Sequence, residues 1–322
     1  MNHRSVDSAR TTLVDAIGRR MRKLRVSLLD TCNFRCSYCM PGKPRFTRQD
    51  NLLAADEIRS IVDVLCHMGI EEVRLTGGEP TLRHDLVAIA ASLSELPLSR
   101  IALTSNGLLL GRYLDDLRRT RCTHLNISLD SLDPKTFAQL ARIDGYDAVV
   151  GAILRARDLG FDVKINMVVM RGINDHEIPA FVGFAVRHDI EVRFLELMAI
   201  GQAAGMQRDR LVTAAEIREI VGRHSALIPR HREADATAVP YTTESGARVG
   251  IIAPVTESFC GSCSRWRLGC DGTLRACLMS TEGLSLRGQS AERIRELAMV
   301  ALGMKPLAGA PETPLMMHGL GG

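Results

Sequence analysis

The sequence predicts an α/β protein, an incomplete TIM-like (β/α)6 barrel followed by a smaller C-terminal α+β extension. Three observations carry this expectation. From residue 24 to residue 198, short β-rich runs alternate with amphipathic helical runs in six repeats, and strands that return parallel need a helix for each crossover. The chemically unusual residues collect just past the strand runs. A barrel gathers its site from many strand ends, whereas an open doubly wound sheet, the rival architecture, uses one switch point. Past about residue 230 the pattern turns to short strands and turns.

Taken in order, the first strand is Leu24–Leu29, followed by a cysteine cluster. A helix over Asp56–Met68 places Ile58, Ile61, Val62 and Leu65 on one face and stops at Gly69. The strand Glu72–Leu75 leads into Gly77-Gly78-Glu79-Pro80 and a helix over Leu86–Leu96. Arg100–Thr104 precedes Ser105-Asn106-Gly107 and a helix near Tyr113–Arg119. His124–Leu129 carries Ser128 at its end, with Asp130 just beyond, and helical segments then run to Leu159. Val163–Val169 and the helix Ile178–His188 follow, and Glu191–Leu197 ends beside Met198. The expected division is an N-terminal arm (1–22), the partial barrel (23–230) and a C-terminal domain (231–322) with a flexible, Gly- and Pro-rich tail.

Composition narrows the function. Of 322 residues, 46% are hydrophobic and 24% charged, as in ordinary globular proteins. One Trp and four Tyr offer few stacking platforms, which argues against a partner that is single-stranded nucleic acid. The net charge of +4 suits a small anionic substrate. No run is long and apolar enough to span a bilayer, and the first residues lack the apolar core of a secretory signal, so the expected location is the cytoplasm. There a set of nine cysteines, six of them in two tight clusters, reads as metal-binding or catalytic rather than as a disulfide framework.

Cys32, Cys36 and Cys39 form C-x3-C-x2-C. Three thiolates are one short of closing a tetrahedral zinc site or a 4Fe–4S cube. On a cube they leave one iron open; a zinc loop with a remote fourth ligand is the alternative. The loop resembles that of the radical S-adenosylmethionine superfamily, with Tyr38 as the aromatic before the last Cys. That resemblance implies an open iron that chelates the methionine end of S-adenosylmethionine and a 5′-deoxyadenosyl radical released on reduction. It also implies that Gly78, in Thr-Gly-Gly-Glu-Pro, lies by the cofactor's ammonium, and that Ser128 and Met198 touch the rest of it. As isolated residues these are a turn glycine, a strand serine and a core methionine.

Cys260, Cys263 and Cys277 form C-x2-C-x13-C, again a cluster of three, and on spacing alone Cys270 remains an ambiguous neighbour. The run Phe259-Cys260, Cys263-Ser264-Arg265-Trp266-Arg267-Leu268 and Asp271-Gly272 resembles the GTP 3′,8-cyclases of molybdenum-cofactor synthesis, with Ser264 where Asn or Thr is usual. The resemblance extends from about Leu24 to Gly321-Gly322. It implies two 4Fe–4S clusters, the second holding the guanine base, and hydrogen abstraction from C3′ of the ribose followed by closure onto C8. It implies GTP contacts from Arg25, Arg74, Thr104, Lys164, Arg265 and Arg267, and a Gly321-Gly322 tail that reaches the active site. It further implies an electron donor, a downstream enzyme forming cyclic pyranopterin monophosphate, and allows a homodimer. On residue type alone, Arg25, Arg74 and Lys164 are strand cations that either snorkel outward or point at an anion. The chain carries neither G-x4-G-K-[ST] nor G-x-G-x-x-G, so a triphosphate needs side-chain cations. A peptide-modifying radical enzyme and a redox-sensing iron–sulfur or zinc protein are the rival functions.

Overall fold

The computed structural model describes residues 12–321. Six strands, β1 (Lys23–Ser27), β2 (Glu72–Thr76), β3 (Arg100–Ser105), β4 (Cys122–Ser128), β5 (Asp162–Val169) and β6 (Glu191–Glu196), lie side by side in chain order and all parallel. The crossovers are α1 (Ala55–His67), α2 (Leu86–Ser94), α3 (Leu114–Leu117), α4 (Pro134–Ala141), α5 (Tyr146–Asp158) and α6 (Ile178–His188). This is the alternation expected from the sequence, and among the described residues the sheet does not close on itself.

The later elements extend the same sheet at both edges. After β7 (Ala199–Ile200), α7 (Gln207–Arg210) and α8 (Ala214–His224) come β8 (Leu227–Pro229), β9 (Val239–Thr243) and β10 (Arg248–Ile252). Strand β10 joins β6 in parallel, with β9 and β8 antiparallel beyond it. At the opposite edge β11 (Arg265–Leu268) runs parallel to β1, and β12 (Thr273–Arg275) and β13 (Leu284–Ser285) follow antiparallel. Helix α9 (Ala291–Gly303) packs on α1. The tail carries β14 (Glu312–Thr313), paired with β7, and α10 (Met317–Leu320). It is therefore docked up to Gly321, where the sequence predicts flexibility; Thr313 and Leu320 are buried.

Parallel strands usually read as unbroken apolar runs because both faces are covered. Here they alternate. Val26, Leu75, Leu103, Ile127, Ile165 and Phe194 are buried in the core. The intervening residues, among them Arg25, Arg74, Thr104, Asn126, Lys164 and Arg193, line a cavity instead. The period of two thus separates a dry helix-covered face from a polar face that surrounds a chamber. Helix ends are set by local chemistry. Asp133 caps α4 by accepting from the Thr136 N–H at 2.7 Å, with Pro134 in the first turn. Thr213 and Glu216 exchange hydrogen bonds at the start of α8. No helix among the described residues is long and apolar enough to cross a membrane.

Candidate active site

The first cysteine triad lies on the loop after β1. The N–H groups of Cys39 and Met40 both donate to the Cys36 carbonyl at 3.0 Å, and those of Arg35 and Ser37 bond to the end of α4. Two further strand ends press on the loop. The N–H of Gly78 donates to the Leu29 carbonyl at 2.7 Å, and that of Glu79 to Thr31 at 2.8 Å. A Cβ on Gly78 would collide with the Asp30 and Thr31 backbone, so glycine is what permits this approach. Glu79 is wholly buried and accepts from Thr81 N–H (3.0 Å), Thr81 Oγ1 (2.6 Å), Ser105 Oγ (2.8 Å) and Asn106 N–H (2.7 Å). Asn106 in turn donates to Cys32 Sγ at 3.7 Å and to Asn33 Oδ1 at 2.7 Å. Glu79→Ala would leave four buried donors unpaired, and we expect it to cost on the order of 3–5 kcal/mol in denaturant unfolding.

Tyr38 donates to Asp130 at 2.7 Å, and the other Asp130 oxygen accepts from the Val168 N–H at 2.9 Å. Burial pushes the Asp130 carboxyl up to about 6 despite these donors. Burial also raises the Cys32 thiol to about 11 and Cys39 to about 12. The sulfurs nevertheless meet donors: Phe34 N–H lies 3.4 Å from Cys32 Sγ, and the His318 backbone lies against Cys39.

The second triad owes its spacing to a hairpin. Cys263 precedes β11, the chain reverses at Gly269–Gly272, and β12 returns it to Cys277. Gly309 N–H donates to Cys260 Sγ at 3.3 Å and Met279 N–H to Cys277 Sγ at 3.4 Å. Burial alone would raise Cys263; Arg265 and Lys305 overcome it and bring that thiol down to about 7. Sulfurs met by N–H donors and cations suit thiolates bound to iron. Among the described residues no three His, Cys, Asp or Glu side chains converge on one ion-sized point, as a mononuclear zinc would ask, whereas a cube takes each thiolate on a different iron. Cys270 is not part of this set. It is buried outside the chamber, its thiol 3.8 Å from Thr47 Oγ1. Cys66 and Cys122 are core thiols.

All six clustered cysteines line a single chamber of about 1080 Å³. That is at the upper end for small-molecule sites and gives room for more than one ligand. Tyr38, Gly78, Ser128 and Met198 line it too, as do Arg25, Arg74, Thr104, Lys164, Arg265 and Arg267. Strand register explains the cationic wall: Arg267, Arg25 and Arg74 stand opposite one another on β11, β1 and β2. Arg25 has no hydrogen-bond or carboxylate partner among the described residues. Burial, then the neighbouring Arg267 and Arg74, pulls its guanidinium well down. Burial likewise lowers Arg74 and Arg267 to about 10, and both stay charged at neutral pH. Arg74 reaches Thr104 Oγ1 at 3.4 Å, and Arg265 lies 4.9 Å over the Phe259 ring. Lys164 is the exception, 3.6 Å from both Asp162 and Glu191. Arg25, Arg74 and Arg267, in register and without a carboxylate partner among the described residues, suit a polyanion.

Gly321 does not line the chamber but is buried beside Thr76 and Arg267, which do. Arg267 donates to the Leu320 carbonyl at 2.9 Å and to the Gly321 carbonyl, and a Cβ on Gly321 would strike Ser27 and Thr76. Gly322 lies outside the described residues. Ser264 stands where Asn or Thr was expected and keeps a donor there, bonding Asp235 at 2.6 Å. Burial opposes ionisation of Asp235, yet Lys23, Ser264 and Arg22 hold it well below the usual carboxylate range. The residues that sequence reasoning missed are Glu79, Asn106, Lys305 and the chamber-facing Asn166 and Arg193. The polar alternation within β5 and β6 was a usable signal for the last two. Asn166 Oδ1 is buried without a partner, an acceptor still open to a ligand.

Comparison with known proteins agrees with this geometry. Residues 26–185 match the Radical SAM superfamily and residues 190–307 match Molybdenum Cofactor Synthesis C. The chain is 44% identical to a GTP 3′,8-cyclase of Synechocystis, over 97% of this chain and 95% of that protein. It is 37% identical to one from Petrotoga mobilis (92% and 94%) and 41% identical to one from Streptomyces coelicolor (85% and 83%). Among solved structures, Streptococcus suis SuiB bound to S-adenosylmethionine superposes with a TM-score of 0.67 over 89% of this chain and 68% of that one. At 13% identity that likeness speaks for the fold alone. Motif, chamber and near-full-length identity converge, and the chain belongs to the GTP 3′,8-cyclase family of the radical S-adenosylmethionine superfamily.

Proposed function

We propose that the protein rearranges GTP to (8S)-3′,8-cyclo-7,8-dihydroguanosine 5′-triphosphate, the first step of molybdenum-cofactor synthesis. One observation carries the reading. Two cysteine triads from distant parts of the sequence line one chamber, together with three in-register arginines that have no carboxylate partner among the described residues. Cys32, Cys36 and Cys39 would hold the 4Fe–4S cluster, and Tyr38, Gly78, Ser128 and Met198 would contact S-adenosylmethionine. When bound, this pair supplies a one-electron cleavage of the cofactor's carbon–sulfur bond and thereby a carbon radical. Cys260, Cys263 and Cys277 would hold a second cube, which would bind the guanine base. Arg25, Arg74, Thr104, Lys164, Arg265 and Arg267 hold the triphosphate and ribose.

The protein's work is positional. The cation wall anchors the phosphates at one side, so the ribose is presented toward the first triad, and a held geometry replaces a random encounter. Gly321 packs against Ser27 and Thr76, where a side chain would not fit. The reading also asks for an electron donor and for a downstream enzyme that forms cyclic pyranopterin monophosphate, and it places the protein in the cytoplasm. An oxygen-free incubation with GTP, S-adenosylmethionine and a reductant tests it. A product of the mass of GTP, formed with 5′-deoxyadenosine, is expected. 5′-Deoxyadenosine with GTP unchanged would refute the substrate.

A further inference from the structure

Ahead of β1 lies a small hairpin. The N–H of Met21 donates to the Leu13 carbonyl at 2.8 Å, Val14 pairs with Arg20, and Gly18 turns the chain at φ +83°. Leu13 and Met21 are fully buried. From this hairpin Arg19 enters the protein interior, its side chain only 3% exposed. Asp15 holds it at 2.6 Å. Its three other hydrogen bonds go to backbone carbonyls: Cys260 at 3.0 Å, Pro306 at 2.8 Å and Lys305 at 3.2 Å. Lys305, also buried, donates from Nζ to the carbonyls of Arg265 and Ala276, each at 2.9 Å. Three of the five accepting carbonyls therefore belong to Cys260 itself, to the residue two beyond Cys263, and to the residue before Cys277. Neither cation lines the chamber.

We propose that Asp15, Arg19 and Lys305 form one buried bracket that positions the second cysteine triad from behind. Through Arg19 it makes that triad depend on the hairpin ahead of the sheet. The inference rests on the reading that this triad holds the second cluster. Arg19 suits the task because its planar fork serves three separate carbonyls, which the point charge of a lysine does not reproduce. Lys305 adds a positive charge close to the sulfurs of Cys263 and Cys277, and charge around a cluster sets its potential. Both are positioning residues, since neither faces the substrate.

The test has a metal-free arm and a loaded arm. In the metal-free protein, alkylation of each cysteine is followed by mass spectrometry. Arg19→Gln is expected to speed modification of Cys260 severalfold while Cys32 keeps its wild-type rate. Equal rates at Cys260 in variant and wild type would overturn the bracket, as would equal acceleration at both cysteines, which signals general loosening. In the anaerobically loaded protein, an EPR-monitored redox titration is expected to move only the second cluster's potential, to more negative values, in Lys305→Met, with recovery in Lys305→Arg. An unmoved potential would also overturn it. If wild type loads only one cluster, the cluster reading fails, and the alkylation ratio still decides whether the bracket exists.

Discussion

Cys32→Ala is expected to abolish 5′-deoxyadenosine formation, down to the rate seen without protein, whereas Cys263→Ala retains part of that cleavage but forms no cyclised product. The asymmetry follows from where the sulfurs sit. Cys32 lies on the loop pinned by Glu79, Asn106 and the Gly77-Gly78 strand end, the side assigned to S-adenosylmethionine in the proposed function. Cys263 heads the hairpin of β11 and β12, on the side of the cationic wall. Removing one of three thiolates from a cube that already lacks a fourth leaves two, too few to hold it. The two loops share no backbone hydrogen bond among the described residues, so the loss stays local. Chromatographic assay of 5′-deoxyadenosine and of the GTP isomer, side by side, separates the roles. Parallel loss of both products in Cys263→Ala would contradict the division.

Arg25→Met is expected to move two measurements in opposite directions. GTP affinity, measured by calorimetry, should fall by about 1.5–3 kcal/mol, roughly 10–150-fold in Kd, as a charge-assisted phosphate contact is lost. The melting temperature of the ligand-free protein should rise. Arg25 stands in register between Arg74 and Arg267, is repelled by both, and has no carboxylate partner among the described residues, only the weaker attraction of the Cys263 sulfur. Methionine keeps most of the stem's packing and removes the repulsion. A residue that destabilises the empty site and stabilises the filled one is the signature of function held at the expense of stability. Weaker binding together with a lower melting temperature would mean that Arg25 is structural.

Much of this was legible beforehand, for identifiable reasons. The six strand–helix repeats were readable because each crossover helix has its own apolar face, as Ile58, Ile61, Val62 and Leu65 show on α1. The triads were readable because cysteine spacing is a local property. What the sequence concealed is long-range. Nothing in the run around Arg265 says that β11 will pair with β1 and set Arg267 opposite Arg25, since that register belongs to the assembled sheet. The tail, Gly- and Pro-rich, reads as mobile; its order comes from partners such as Arg267 and β7, far away in sequence. Glu79 was visible only as one letter of a glycine turn. Its four donors come from two separate strand ends, and no local pattern announces them.

The most direct trial of the shared chamber is iron anomalous scattering from crystals grown without oxygen in the presence of GTP and S-adenosylmethionine. Two four-iron peaks on opposite walls, with the nucleotide between them and its phosphates on Arg25, Arg74 and Arg267, are the expected result. A single iron peak, or a second metal walled off from the nucleotide, would contradict it.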